Sequence, residues 1–410
     1  MSDAIRRVGI LFSGGPAPAA NAVISSAALA FLDAGIEVIG FYSGYKNLEQ
    51  WTPESPLRGG DHYVVLTRDL VSNARSRQDI MLRTARANPG KAIRTLADLR
   101  DPERNTKLLA VYGAFEELGV DALISIGGDD TLKTANYMAA LQDVMPELKR
   151  LRVVHLPKTI DNDYFGIDWT FGFVTAADFA GVEVRNMVAD AKSGSAWYVV
   201  EVMGRKAGWL TYAAGIAGGA VRMISVEDFE DRFDAATAAV ELVDLMQVRE
   251  ADGRSYGVVC VAEGLADMLP DDQRPSEVDE HGHPVLRSVQ IGGLLAGAME
   301  AEYLARTGRK AAVRYKQVGY ETRCSEPKAF DLLLGCQLGV GAYRALVEEG
   351  LSSVMVSIEG QLDLRYVPFS ELVDPETLVT KVRMIPTGSD FHRLARALEY
   401  RPSPSPADRD

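Results

Sequence analysis

Along the chain, short and nearly unbroken apolar runs alternate with longer stretches in which apolar and polar residues mix at helical spacing. Residues 8–12, 38–42, 122–126 and 153–156 read as buried strands, and a second strand-rich half follows at 197–203 and 257–262. Beyond it lies a helix-rich stretch over 291–306. Strands alternating with helices predict an α/β protein built on doubly wound, largely parallel sheets. No internal repeat is seen. Residues 267–284 are dense in acids, Pro and Gly and predict an exposed excursion, and the tail RPSPSPADRD predicts disorder.

Two of the apolar runs end in chemistry. In VDALISIGGDDT the strand breaks at Gly127 and Gly128 and opens toward a helical run from Leu132. Glycines let a backbone approach an anion and donate N–H groups to it, while Asp129 and Asp130 supply hard oxygens suited to Mg²⁺. The second run, LRVVHLP, ends at Lys158, Thr159, Asp161, Asn162 and Asp163, so two carboxylates two residues apart meet a lysine. Each motif has a plainer reading. GGDD also suits a tight turn in which Asp130 only caps the helix, and Asn and Asp commonly satisfy turn backbones. Both together in one chain point to phosphoryl transfer.

Composition narrows the class. At 410 residues the chain is long enough for about two domains. A net charge of −13 leaves no electrostatic footprint for nucleic acid or an acidic membrane surface, so any phosphate-binding charge must be local. Cys260, Cys324 and Cys336 are odd in number and lack metal-ligand spacing, which fits free thiols in a reducing compartment. No apolar run looks long enough to span a bilayer, and the N-terminus enters a first strand almost at once; a cytoplasmic protein is expected.

In order, the chain carries VGILFSGGPAPAANAVI, LRTAR, GGDDT, PKTIDND, TFGFVTA, EVMGRKAGWL, VAEG and GYETR. GGDGT alone also occurs in lipid and NAD kinases, but TIDND followed by MGR is not expected there. The set resembles the 6-phosphofructokinases of the bacterial type, and more closely their pyrophosphate-dependent branch. The resemblance implies two Rossmann-like lobes with mostly parallel doubly wound sheets and the active site in the cleft between them. It implies a phosphate-donor lobe over 1–171 plus about 325–357, a sugar-phosphate lobe over 172–324 plus about 358–400, and a loose tail at 401–410. The implied reaction moves a phosphoryl group from pyrophosphate to the 1-hydroxyl of fructose 6-phosphate, giving fructose 1,6-bisphosphate and phosphate, reversibly, in glycolysis and gluconeogenesis. Mg²⁺ is the implied cofactor and a homodimer or homotetramer the implied assembly. An ATP-dependent 6-phosphofructokinase and a non-catalytic, sugar-phosphate-binding or regulatory subunit stay open as alternatives.

By the same resemblance, Asp161 is the general base, Asp163 supports the sugar and Asp129 is the Mg²⁺-linked carboxylate. Thr159 offers a hydroxyl to the transferring group and Arg205 contacts the transferred phosphate, where a planar bidentate donor serves best. Gly14, Gly15, Arg86, Gly128, Asp130 and Lys158 face the donor. Met203, Gly204, Glu263, Tyr320 and Arg323 hold the sugar phosphate, together with Thr159, Asp161 and Arg205. Arg314 stands at a spacing where relatives place another phosphate-binding arginine; Lys316 and Lys206 are weaker candidates.

ATP-dependent relatives carry Gly where this chain has Asp130 and Lys158. A carboxylate there repels a nucleotide's α-phosphate, and a lysine ammonium holds compact pyrophosphate as a point charge; an Asp130–Lys158 pair tolerating ATP is the competing reading. Other departures are Ala19 for glycine, Gln78 and Asp79 for a Gly-Gly pair, and Ala196 where relatives often have an arginine. Ser25 and Leu29 stand at the positions of effector-binding arginines, so that form of allosteric control is not expected.

Overall fold

A computed structural model describes residues 4–271, 273, 289–374 and 377–401. Most of the excursion expected at 267–284 and the tail beyond 401 lie outside the described residues. Where that excursion begins, the chain is not exposed: Leu269 is fully buried after a 3₁₀ turn at Glu263–Met268.

Among the described residues the strands are β1 (Arg7–Phe12), β2 (Glu37–Phe41), β3 (Tyr63–Val65), β4 (Ala122–Gly127), β5 (Arg152–Pro157) and β6 (Trp197–Val202). They continue as β7 (Arg222–Ile224), β8 (Gly257–Ala262), β9 (Val313–Val318), β10 (Val354–Glu359) and β11 (Asp363–Pro368). By internal contacts the chain divides into two compact units. One comprises Met1–Ile160, Tyr164–Thr175 and Arg323–Val382; the other comprises Asp161–Asp163, Ala176–Thr322 and Arg383–Asp410.

The first unit holds a seven-stranded sheet in the order β11-β10-β5-β4-β1-β2-β3. Its five central strands run parallel, and β3 and β11 are antiparallel edges. All six residues of β4, ALISIG, are buried, as a parallel strand covered on both faces requires. The segment from about 358, expected with the sugar-phosphate lobe, instead adds β11 to this sheet by pairing along the whole of β10.

The helix Ala20–Asp33 packs on the helix Ala329–Tyr343 through glycines. A Cβ at Gly339 would lie 2.1 Å from Ser26 Oγ, and one at Gly335 would lie 3.2 Å from the Ala22 and Val23 side chains. Contrary to the expectation of no such run, the continuous helical stretch Ala329–Glu348 has 20 residues and is apolar enough by composition to cross a membrane. Half of its most apolar window is buried, with Leu334, Leu338 and Ala342 fully so, which is the pattern of a core helix.

The second unit holds a parallel four-stranded sheet, β7-β8-β6-β9. Its core sets Val199, Val259 and Val261 of the sheet against Leu242 and Met246 of the helix Ala235–Ala251 and Leu295 and Met299 of the helix Ile291–Thr307. The Asp234 carboxylate caps the former helix, accepting from the Ala236 and Thr237 amides at 2.8 and 3.3 Å, which contributes about 1 kcal/mol.

Candidate functional site

In the first unit the carboxyl ends of β1, β4 and β5 adjoin, because β1 pairs β4 in register through Phe12 and Ile126, and β4 pairs β5 through Gly127 and Pro157. Backbone bonds extend this order past the strands: Ser13 N–H donates to Ile126 O, and Lys158 N–H to Gly127 O, both at 2.9 Å. Gly14 takes φ +92°, a conformation that L side chains rarely adopt.

The LRTAR segment is strapped to this first loop. Gly14 N–H donates to Ala85 O at 2.9 Å, Thr84 Oγ1 to Gly14 O, and Ser13 Oγ to Ala85 O. The exposed Arg86 thus follows directly on a segment bonded to Gly14. Asn21, one residue into the adjoining helix, ties down the departure at Gln78 and Asp79: its Nδ2 donates to the Arg77 and Asp79 carbonyls and its Oδ1 accepts from Met81 N–H. Ala19, where a glycine was expected, adopts the left-handed conformation at φ 65° and N-caps the helix. An L residue pays about 1–2 kcal/mol there.

Lys158 is only 8 % exposed, and a Cβ on Gly14 would lie 3.2 Å from its Nζ. The ammonium is therefore packed against the first glycine loop. Arg323, expected in the sugar-phosphate lobe, stands in this same unit: a Cβ on Gly15 would lie 3.3 Å from its guanidinium. Two cations thus meet Gly14 and Gly15.

The helix after β4 begins at Asp129 rather than near Leu132 and runs to Val144. Gly128 takes the N-cap position in extended conformation (φ −83°, ψ −165°), so Asp130 is not the cap. Asp129 and Asp130 fill the first helical turn, where the unsatisfied N–H groups and the helix dipole favour carboxylates. Asp130 is 72 % exposed and pairs with Lys133 at 3.8 Å, not with Lys158. Among the described residues no group of three or more His, Cys, Asp or Glu is disposed to hold a metal. Mg²⁺ at phosphoryl-transfer sites is commonly bound by one or two carboxylates plus substrate phosphates, and Asp129 beside Asp130 fits that donor set.

In the second unit, Asp161, Asn162 and Asp163 form a tight bend: Asn162 is buried at φ 55°, a left-handed conformation that Asn tolerates. The bend is gripped by Arg383, a residue that the motifs gave no reason to suspect. Its N–H donates to Asp163 O at 2.8 Å, and its Nε and Nη2 donate to Asn162 O at 3.2 and 3.0 Å.

The MGR loop is braced by the VAEG loop. Gly204, at φ 133°, donates its N–H toward Glu263 Oε1 at 3.4 Å. A Cβ on Gly264 would sit 2.1 Å from Arg205 O, so only glycine permits this approach. Met203 is buried, with Thr322 Oγ1 4.0 Å from its sulfur. The Arg205 guanidinium meets Asp267 at 3.1 Å; both are over a third exposed, so the pair holds the arginine weakly. Tyr320 is 62 % exposed at the start of a 3₁₀ turn. Ala196 is fully buried, its N–H bonded to Ala191 O, and Arg314 is engaged by Asp190 at 2.9 Å and by Tyr198 Oη at 2.7 Å.

The phosphofructokinase family profile matches residues 7–346. The pyrophosphate–fructose 6-phosphate 1-phosphotransferase of Thermotoga maritima is 33 % identical over 405 residues, covering 96 % of this chain and 90 % of its own length. The protein of that name from Naegleria fowleri is 32 % identical, covering 96 % and 88 %. An ATP-dependent 6-phosphofructokinase of Chloroflexus aggregans is also 32 % identical, covering 90 % and 92 %. The crystal structure of a pyrophosphate-dependent phosphofructokinase from Nitrosospira multiformis superimposes with a TM-score of 0.71 at 18 % identity, covering 97 % of this chain and 93 % of that one. Phosphofructokinase from Saccharomyces cerevisiae gives 0.67 at 25 % identity; the match covers 89 % of this chain and spans 45 % of the yeast chain. With sheet, glycine loops and motifs in agreement, the chain belongs to the phosphofructokinase family and is an enzyme of carbohydrate metabolism.

Proposed function

We propose that this enzyme transfers a phosphoryl group from pyrophosphate to the 1-hydroxyl of fructose 6-phosphate. The observation that carries the donor assignment is the Lys158 ammonium, buried against Gly14 at the carboxyl ends of the first sheet. A buried point charge at a glycine loop suits a compact, highly charged donor, and Asp130, which pairs with Lys133 rather than with Lys158, repels the α-phosphate of a nucleotide. The relatives named for pyrophosphate support the reading, although an ATP-dependent relative is about equally similar.

In the proposed step the Asp161 carboxylate takes the proton of the 1-hydroxyl, and that oxygen attacks the terminal phosphorus. The bond from this phosphorus to the bridging oxygen breaks, and inorganic phosphate leaves with the electron pair. Lys158 and the Gly14, Gly15 and Gly128 amides hold the donor, with Arg86 beside them. Arg205 exchanges Asp267 for the transferring group, and Thr159 donates its hydroxyl to it. Glu263, Met203, Gly204, Tyr320, Arg323 and Asp163 orient the sugar phosphate. Asp129 would hold Mg²⁺, which would supply positive charge to offset that of the donor phosphates.

An aldolase-coupled assay of the purified protein with fructose 6-phosphate and Mg²⁺, run with pyrophosphate or ATP at matched concentrations, tests the proposal. Turnover with pyrophosphate and little with ATP is expected. Turnover with ATP alone would reject the donor assignment, and turnover with neither would reject the reaction.

A further inference from the structure

Arg383 lies outside every motif that led to the site, yet it bonds the backbone carbonyls on either side of Asp163. Its guanidinium places two N–H groups on Asn162 O, at 3.2 and 3.0 Å, while its own N–H takes Asp163 O at 2.8 Å. The contact is long-range, spanning 221 residues of sequence.

Arg383 is itself held from three sides. Its guanidinium lies 4.5 Å above the Trp209 ring, within the range of a cation–π contact. Trp209 Nε1 donates back to Arg383 O at 2.8 Å, and the indole also stacks with Phe391 at 5.2 Å and 23°. Two residues on, Ile385 N–H donates at 3.1 Å to Glu227, which also accepts both contacts of Gly208 N–H at 3.0 Å. The segment that bears Arg383 is thus bolted to the start of the helix Trp209–Gly218.

Arginine is suited to this place, because a planar fork can address one carbonyl with two donors and still lie flat on an aromatic face. Lysine offers a single rotating ammonium and no plane. A left-handed, buried Asn162 is a conformation that persists only where its surroundings over-determine it, and Arg383 supplies three of the hydrogen bonds that do so.

We infer that Arg383, seated on Trp209, is a positioning residue for the phosphoryl-transfer reaction: it fixes the Asp161–Asp163 bend and with it the aim of the Asp161 carboxylate. The inference rests on the assignment of Asp161 as the base. Misaiming a base lowers kcat without touching groups that bind the donor: Gly14 and Gly15 lie on another segment, and Lys158, which precedes the bend, is anchored separately by its N–H bond to Gly127 O at 2.9 Å.

The test uses the full chain with Arg383→Met, which keeps much of the side-chain stem, Arg383→Lys, and Trp209→Leu. Hydrogen exchange of amides 159–164 is measured alongside turnover, with whichever donor the unaltered enzyme uses. In Arg383→Met we expect exchange of these amides to rise about tenfold and kcat to fall by about 10–100-fold. KM for the donor and the thermal midpoint should stay within twofold and about 2 °C. Arg383→Lys should restore little of kcat, and Trp209→Leu should reproduce the loss in part. Unchanged exchange at 159–164 in folded Arg383→Met overturns the inference whether or not the enzyme uses pyrophosphate. So does a loss of kcat that merely follows the thermal midpoint, or full rescue by lysine. Faster exchange with kcat intact would equally overturn it, since the bend would then move without consequence for the base.

Discussion

His155 gives the first unit a defined acid limit. It lies on β5, fully buried, with its Nε2 2.9 Å from the Tyr164 hydroxyl and the two rings stacked at 5.9 Å and 26°. Burial, which penalises the imidazolium, pushes its pKa down to about 3; the nearby Lys158 charge adds to this, against an opposing backbone hydrogen bond at Gly127. In the unfolded chain the same ring titrates near its ordinary 6.5. Below that value the unfolded state binds a proton that the folded state refuses, so stability is intact above about pH 6.5 and falls as the pH drops toward 3. Between about pH 7.5 and about pH 5 the loss from this one group is about 2 kcal/mol, and its limit near the folded-state value is about 5 kcal/mol. Urea unfolding of the enzyme and of His155→Gln at both pH values isolates the effect, because every other titrating group contributes equally to the two proteins. The wild type should lose about 2 kcal/mol more than the variant over this interval. A difference under about 0.5 kcal/mol would mean that the ring is hydrated or protonated in the folded protein, and the reasoning would be refuted.

Other outcomes follow from the site. Asp161→Ala should abolish turnover, by a factor of roughly 10²–10⁴ or more, with the unfolding midpoint unchanged; near-normal kcat would remove Asp161 as the base. Gly14→Ala puts an L side chain at φ +92° and a methyl 3.2 Å from Lys158 Nζ, so it should cost about 1–2 kcal/mol of stability and raise the donor KM, as denaturant titration and initial rates would report. Gly264→Ala drives a Cβ into Arg205 O, which it would approach to 2.1 Å; a loss of about 1–3 kcal/mol and a fall in kcat are expected, and wild-type behaviour in both would contradict the close packing of these loops.

Most strands interior to the sheets, though not the almost equally buried β10, VMVSIE, were legible because they are apolar on both faces: ALISIG in β4 and GVVCVA in β8 are buried throughout. Edge strands were not. β11, DLRYVP, alternates exposed and covered positions, as an antiparallel edge does, and without its partner such a pattern looks like a loop. The helix after GGDD begins at Asp129, three residues before the expected Leu132, since Asp is a poor helix former in general but a good one in the first turn, where the dipole favours its charge. Local chemistry was visible in the glycines and carboxylates of the motifs. What joined them was not: the Gly14 contact of Lys158, the Gly15 contact of Arg323 and the grip of Arg383 on Asn162 each depend on tertiary packing between distant segments.

The donor assignment stands or falls on the ratio of kcat/KM for pyrophosphate to that for ATP, measured in the wild type and in the Asp130→Gly, Lys158→Gly double variant. The account predicts a ratio well above one in the wild type and a drop of at least about tenfold in the variant, with ATP turnover appearing or rising as the nucleotide gains room and loses the repelling carboxylate. A wild-type ratio below one, or a ratio that both substitutions leave unchanged, would contradict it.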